Sequence, residues 1–354
     1  MSNRLLLAGA VLCLLAMAVT MLDIARDLKV SVVTVSKVLR NQGRISAATR
    51  KRVLRRAKQL HYQMNWVARS LVTRRTYTIG LLLPEFTHPF FAEIARVVAQ
   101  TVRPHGYHVI ISYFEEDPEL ELSEADSLLA RQVDGLIIAS AQPVGCLELF
   151  RRIQRRNVPY VLIDRPIAGL QASFVGVDNH AIGSLATEHL IARGCRRIAH
   201  LRGPEMGIAA ERFDGYRRSL VKHGLRVRGR YVVPGGRGDG AGYEGMQRLL
   251  RLRPIPDGVF CYSDPVAIGA IKAILEAGLK VPDDVSVVGA GNVHYSDLLA
   301  VPLTTVDQGT CQMGSRAAEL LMERILLKRS ARPKKILISP RLVERESTRR
   351  RVKT

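Results

Sequence analysis

Residues 20–41 read TMLDIARDLKVSVVTVSKVLRN. Thr20 followed by Asp23 has the form of a capping box, and Ile24, Ala25 and Leu28 fall on one helical face. A short helix is expected there. After the tight Leu28-Lys29-Val30 connection, Ser31 can cap a second helix. Val35, Val38 and Leu39 lie on its inner face, with Val32, Val33, Thr34, Ser36 and Lys37 toward its N-terminal and outer side. Two short helices joined this way make a helix-turn-helix, whose second helix enters the major groove with its N-terminal residues on base edges. Val32 and Val33 can pack on thymine methyl groups and Lys37 can donate to guanine. Ser31, Thr34, Ser36 and Asn41 suit phosphate oxygens. The competing reading is a pair of core helices from a larger bundle.

A third helix is expected from a Ser46 cap, with Val53, Leu54, Ala57 and Leu60 inward and Arg50, Lys51, Arg52, Arg55, Arg56 and Lys58 over the remaining surface. It closes a DNA-binding domain at residues 20–64. Residues 65–72, NWVARSLV, are too short for a stable isolated helix, because nucleation is costly below about 12 residues. They would fold only when paired or bound, so 65–76 reads as hinge and linker. Residues 1–19 are signal-like: Arg4 precedes an apolar run from Leu5 to Ala16, and Ala16-Met17-Ala18 resembles a signal-peptidase site. The alternative is a spurious extension, with translation starting at Met17 or Met21. The run is short for a membrane span of about 20 apolar residues, and no membrane partner is expected.

The chain has 354 residues, enough for a small module and a two-lobed body. A 47% hydrophobic, 5% aromatic composition suits aliphatic cores between helices and sheet. The formal net charge of +21 favours a polyanionic partner. Between positions 21 and 75 fourteen Lys and Arg face only Asp23 and Asp27, a concentration that points to nucleic acid. The five cysteines are far apart and lack ligand spacing, so neither a disulfide framework nor a metal site is expected, and a cytoplasmic setting fits. There is no Walker loop, no G-x-S-x-G and no H-E-x-x-H; the match of Gly236-x-Gly238-x-x-Ala241 to a dinucleotide fingerprint is weak. Neither an enzyme nor a cofactor is expected.

Leu22-Asp23-Ile24-Ala25, the run from Val30 to Leu39 with Asn41, and Asn65-x-Val67-Ala68-Arg69-Ser70-Leu71 resemble the lactose repressor and galactose repressor family of bacterial transcription regulators. The similarity covers essentially everything from Thr20 onward. It implies a hinge helix that orders on operator DNA, with Arg69 at the DNA and Leu71 wedged into the minor groove. It also implies a sensor of the periplasmic-binding-protein type 1 fold at residues 77–339, crossing between lobes near residues 178, 307 and 335. A basic tail at 340–354 would follow.

The sensor segment itself reads as α/β. Continuous apolar runs at 78–83, 108–111, 135–138 and 160–163, then at 198–201, 258–261 and 285–288, alternate with helical stretches, as two parallel sheets require. Ligands of such sheets sit beyond the strands' carboxyl ends. That rule selects Phe90 and Phe91 after the first strand, Asp164 after the fourth and Asp264 after the 258–261 strand. The family resemblance adds Arg212 and Arg237. Each has a structural alternative: core for the phenylalanines, strand-end caps for the aspartates, a lobe tie for Arg212 and a mobile surface turn for Arg237. An aromatic face, carboxylates and an arginine are what a sugar-like ligand needs. Where the family has Gly-Tyr-Asp, with the aspartate often on the ligand, this chain has Gly289-Ala290-Gly291-Asn292, and residues 203–208 are unusually apolar. The effector is expected to be a sugar or sugar acid, and a sugar acid or another anion would meet Arg212 and Arg237.

The resulting expectation is a homodimeric repressor on double-stranded DNA with a near-palindromic operator, since one helix-turn-helix reads only a half-site. A small-molecule effector would alter lobe closure and so fold or melt the hinge. Inducer and corepressor both remain open. The rival is a secreted solute-binding protein of a transporter, which has the same two-lobed fold but no use for a basic helix-turn-helix.

Overall fold

The computed structural model describes residues 19–40, 43–63, 70, 73, 75–143, 145–204, 207–327 and 332–348. The chain divides into two units, Met1–Thr76 and Tyr77–Thr354. In the first, α1 (Met21–Leu28), α2 (Val32–Leu39) and α3 (Ala47–Gln59) begin at the caps read from sequence. Thr20 Oγ1 accepts the Asp23 N–H and Asp23 Oδ2 accepts the Thr20 N–H, closing the capping box. Ser31 and Ser46 Oγ accept the N–H groups of Thr34 and Thr49, satisfying donors that an uncapped helix start leaves open. Ile24, Ala25, Val35, Val38, Val53 and Ala57 form the core. Val53 and Ala57 are buried as expected, but Leu54, also expected inside, is 48% exposed because it lies off the face of α3 that they share. The hinge reading rests mostly on residues 64–69, 71 and 72, which lie outside the described ones, as do residues 1–18.

The second unit holds two six-stranded sheets of matching order. Lobe 1 opens with β1 (Thr78–Leu83), α4 (Pro89–Val102), β2 (His108–Tyr113) and α5 (Pro118–Ala130). It continues through β3 (Gly135–Ile138), α6 (Glu148–Arg155), β4 (Tyr160–Ile163) and β5 (Ser173–Val177). The chain crosses at Asp178 into lobe 2, with α7 (Asn179–Ala192), β6 (Ile198–Arg202), α8 (Gly207–Lys222), β7 (Val232–Pro234) and α9 (Asp239–Leu250). There follow β8 (Gly258–Cys261), α10 (Asp264–Glu276), β9 (Ser286–Gly291) and β10 (Thr304–Asp307). After Asp307 it returns to lobe 1 as α11 (Thr310–Leu327) and β11 (Lys335–Ile338), and β12 (Arg341–Val343) goes back to lobe 2. The sheets run β2-β1-β3-β4-β5-β11 and β7-β6-β8-β9-β10-β12, all pairs parallel except β10 with β12.

Buried apolar runs such as Gly135–Ile138 and Tyr160–Ile163 make the central strands, covered by helices on both faces. In α11, Leu321 and Ile325 reach over Gly135 of β3, where an added Cβ would come within 2.9 Å of Leu321 Cδ1. In lobe 2, a Cβ on Gly269 would sit 1.8 Å from the Asp239 carbonyl, so α9 and α10 meet backbone to backbone. That contact fixes the start of α9, and Arg237 just before it, beside the start of α10.

Two boundaries differ from the sequence reading. The third crossing follows Ile338, because Lys335 already belongs to β11 of lobe 1. Residues 341–348 are no tail: β12 pairs with β10, and Ser347 and Thr348 are buried, with Ser347 Oγ accepting the Thr304 N–H at 2.8 Å.

Candidate functional site

Two sites are described, one in each unit. On α2, Val32, Val33 and Lys37 are exposed, Val33 at 61%, and stand free of the core formed by Val35 and Val38. This is the face expected to meet base edges. Ser31 and Thr34 flank it, their hydroxyls 2.8 Å apart. Ser36 is 7% exposed, and its Oγ accepts the Nε–H of Arg40 at 2.9 Å, which ties it to its own helix. Asn41, Arg69 and Leu71 lie outside the described residues. Of the α3 cations, Arg56 is committed to Asp27, Nε to Oδ2 at 2.7 Å, whereas Lys51, Arg52, Arg55 and Lys58 are exposed.

In the sensor unit, Phe90, Phe91, Asp164, Arg212 and Arg237 line one cavity at the carboxyl ends of both sheets. The strand-end rule selected three of them, and the family resemblance the two arginines. Phe90 and Phe91 open α4 behind a Pro89 start, with ring centroids 5.1 Å apart in an edge-to-face pair. His88 caps that helix, its Nδ1 accepting the Phe90 N–H at 3.3 Å, and burial pushes its pKa down against the pull of Glu85. Asp164 adopts φ +66° where β4 ends, and burial raises its carboxyl pKa although Arg165 and Arg212 oppose the rise.

Arg212 is 3% exposed and donates to three acceptors: Asn179 Oδ1 at 2.9 Å, the Tyr262 carbonyl at 2.7 Å and Gln308 Oε1 at 2.8 Å. Asn179 and Gln308 follow two of the lobe crossings, so Arg212 ties lobe 2 to its connections while its guanidinium stacks over Tyr262, 4.8 Å from the ring centroid. Lobe tie and cavity wall are both true of it. Arg237 reaches across to lobe 1, with Nη1 2.9 Å from Glu116 Oε1.

Asp264 is corrected. It is fully buried and does not line the cavity: its carboxylate accepts the Val293 N–H at 2.9 Å, the Ser296 hydroxyl at 3.0 Å and the Thr305 hydroxyl at 2.5 Å. Two glycines of β9 make room for the inward turn. A Cβ on Gly289 would lie 2.3 Å from Asp264 Oδ1, and one on Gly291 3.2 Å from Oδ2. Asn292 next to them is likewise structural, its Oδ1 accepting from Arg345 at 2.8 Å.

The sequence reading missed Glu116, Arg165, Tyr262 and Gln308, all of which line the cavity. Arg165 and Tyr262 directly follow strand-end segments, so the rule that chose Asp164 reaches them too. Gln308 directly follows β10, a strand absent from the sequence reading, and Glu116 lies in the turn after β2. The cavity is partly open to solvent and its volume is about 40 Å³, small for a bound sugar-sized ligand. Among the described residues no His, Cys, Asp and Glu group could hold a metal ion, and no helix is long and apolar enough to cross a membrane.

Residues 20–65 match the model of the bacterial regulatory proteins of the lacI family, and residues 187–348 that of the periplasmic binding protein-like domain. A repressor named PurR from Actinobacillus pleuropneumoniae serotype 3 is 34% identical over 333 residues, spanning 93% of this chain and 98% of the relative. The chain belongs to the lacI family. The ribose operon repressor of Halalkalibacterium halodurans is also 34% identical, over 331 residues, covering 93% of this chain and 97% of its own. The structure of the lac repressor dimer bound to operator and the anti-inducer ONPF superposes with a TM-score of 0.80 at 26% identity, over 93% of this chain and 99% of that one. As a lacI-family member the protein is a DNA-binding transcriptional repressor whose grip on DNA a small molecule controls. A basic helix-turn-helix at 20–65 leaves the solute-receptor alternative without a use for that segment.

Proposed function

We propose that the sensor cavity is the effector site, that the effector is a sugar or sugar acid, and that the protein acts as a cytoplasmic homodimer on a near-palindromic operator. The convergence of Phe90, Phe91, Asp164, Arg212 and Arg237 on one cavity between the sheet ends carries this reading. An aromatic wall with a buried carboxyl and guanidinium groups is the chemistry that polyhydroxy ligands use. A pocket for such a ligand measures roughly 300–1,000 Å³, so the lobes must part to admit it. That movement is the switch. Moving the population from 1:99 to 99:1 takes about 5.5 kcal/mol of preference for one lobe arrangement.

The dimer face is assigned to the β2 edge of lobe 1, where Ile110, Ile111 and Tyr113 are exposed and Phe86 packs on Tyr113 with ring centroids 6.4 Å apart. An unpaired edge strand carrying that much apolar surface needs a cover, and the related lac repressor was solved as a dimer. Val32, Val33 and Lys37 read the half-site, Arg69 and Leu71 complete it, and no catalytic step is part of the reading. The experiment is to retain a randomised duplex library on the purified protein, sequence the bound fraction, and measure anisotropy on the enriched site with neutral sugars and sugar acids. One near-palindromic motif whose affinity shifts with one of these compounds is the expected result. No enriched motif, or one no compound shifts, rejects it.

A further inference from the structure

The centre of the cavity is an ion cluster that joins the lobes. Arg165 grips Glu116 in a two-pronged pair, with Nη1 to Oε2 and Nη2 to Oε1 both at 2.6 Å. Arg237 of lobe 2 adds the 2.9 Å contact to the same Oε1. Arg165 is 8% exposed, and its Nε, 3.4 Å from Asp164 Oδ2, makes no hydrogen bond. Arg212 has its three bonds within lobe 2 and its crossings, so Arg165 takes the place in an anion site that Arg212 was expected to hold.

A planar guanidinium fork matches a carboxylate or phosphate edge, and two guanidinium groups around one carboxylate make a site for an oxyanion. Here the chain fills that site with its own side chain. Glu116 comes from a turn in which Glu115 and Glu116 both take left-handed backbone, at φ +51° and +63°. Such conformations are unfavourable for non-glycine residues and persist only where contacts hold them. The arginine clamp supplies those contacts.

Resting on the cavity being the effector site, we infer that Arg165 and Arg237 form an oxyanion subsite whose ligand-free occupant is the Glu116 carboxylate, and that the effector carries an oxyanion that replaces it. The exchange conserves charge at the two arginines, Arg165 buried and Arg237 partly exposed, while breaking the tie between lobes. A neutral ligand of the same size has no equivalent way to part Glu116 from Arg237. Glu116 is thus a specificity device: it screens out uncharged compounds and opens for charged ones.

The test uses the full chain and calorimetry with three probes: inorganic phosphate, D-gluconate and D-glucose. Removing the internal competitor in Glu116→Gln should tighten phosphate or gluconate at least tenfold, which of the two separating a phosphate from a carboxylate effector, with glucose unchanged. Adding Arg237→Met should abolish the gain. A gain below tenfold for both oxyanions, or an equal gain for glucose, overturns the proposal. If Glu116→Gln does not fold, Arg237→Met alone must weaken oxyanion binding at least tenfold, and unaltered binding is equally fatal. Phe91→Ala separates the two levels. If it weakens binding while Glu116→Gln changes nothing, the cavity stands and the subsite falls; if neither changes anything, both fall.

Discussion

Asp264 Oδ2 accepts the backbone N–H of Val293 at 2.9 Å, and the same oxygen takes the Ser296 hydroxyl at 3.0 Å. The carboxylate therefore organises the turn after β9 from inside lobe 2. Asp264→Ala strands these two donors and the Thr305 hydroxyl in a dry interior, at a cost of about 3 kcal/mol. Urea unfolding should show that loss, with effector affinity in the folded fraction within about twofold of wild type. Normal stability with lost effector binding would place Asp264 back in the cavity.

Ser36→Ala separates a structural from a phosphate role. Because Ser36 Oγ is engaged by Arg40, the substitution should leave the slope of log affinity against log salt unaltered. Each phosphate contact contributes about 0.9 to that slope on duplex DNA. A slope lowered by that amount would make Ser36 a phosphate ligand. Lys37→Met, at the exposed face, should instead change which base pairs are preferred.

His200 predicts an acid-sensitive sensor. It is fully buried between Phe213, Tyr216 and Phe260, its Nδ1 lies 3.0 Å from the Phe260 carbonyl, and burial lowers its pKa from 6.5 to about 4. The unfolded chain therefore takes up the proton first as pH falls. Stability is intact above about pH 6.5 and drains away toward pH 4, by about 3 kcal/mol in all. Unfolding titrations at pH 7 and pH 4 should show a loss smaller by about that amount in His200→Phe. Equal losses in the two proteins would rule His200 out as the source.

Ile111→Asp puts a charge on the exposed β2 edge. Sedimentation equilibrium should find monomer where wild type is dimer, with the fold intact by circular dichroism. A dimer that survives the substitution locates the interface elsewhere.

Short-range features of this chain are legible in its sequence. The Thr20, Ser31 and Ser46 caps act within three residues of themselves, and the apolar runs at 135–138 and 160–163 are buried on both faces. The strand-end rule located Phe90, Phe91 and Asp164 because it depends only on where a strand stops. Legibility ends where partners are distant. Asp264 follows the 258–261 strand as read from sequence, but its direction is set by Val293, Ser296 and Thr305, which reach it from loops and a strand far along the chain. Glu116 gains meaning only from Arg165 and Arg237. The strand at 341–343 has three residues and no pattern of its own, and β10 alone makes it a strand.

The return of the chain to lobe 1 after residue 307 also sets an order of assembly. During synthesis residues 20–62 emerge before the sensor and contain all the partners of their own small core. Lobe 1 must wait. Its helix α11 and its edge strand β11 leave the ribosome only after lobe 2 has been made up to β10. Until then Gly135 and its neighbours lack the cover of Leu321 and Ile325. A nascent or prematurely terminated chain therefore presents a finished DNA-reading head on an unfinished sensor, a species able to touch DNA before it can answer to an effector.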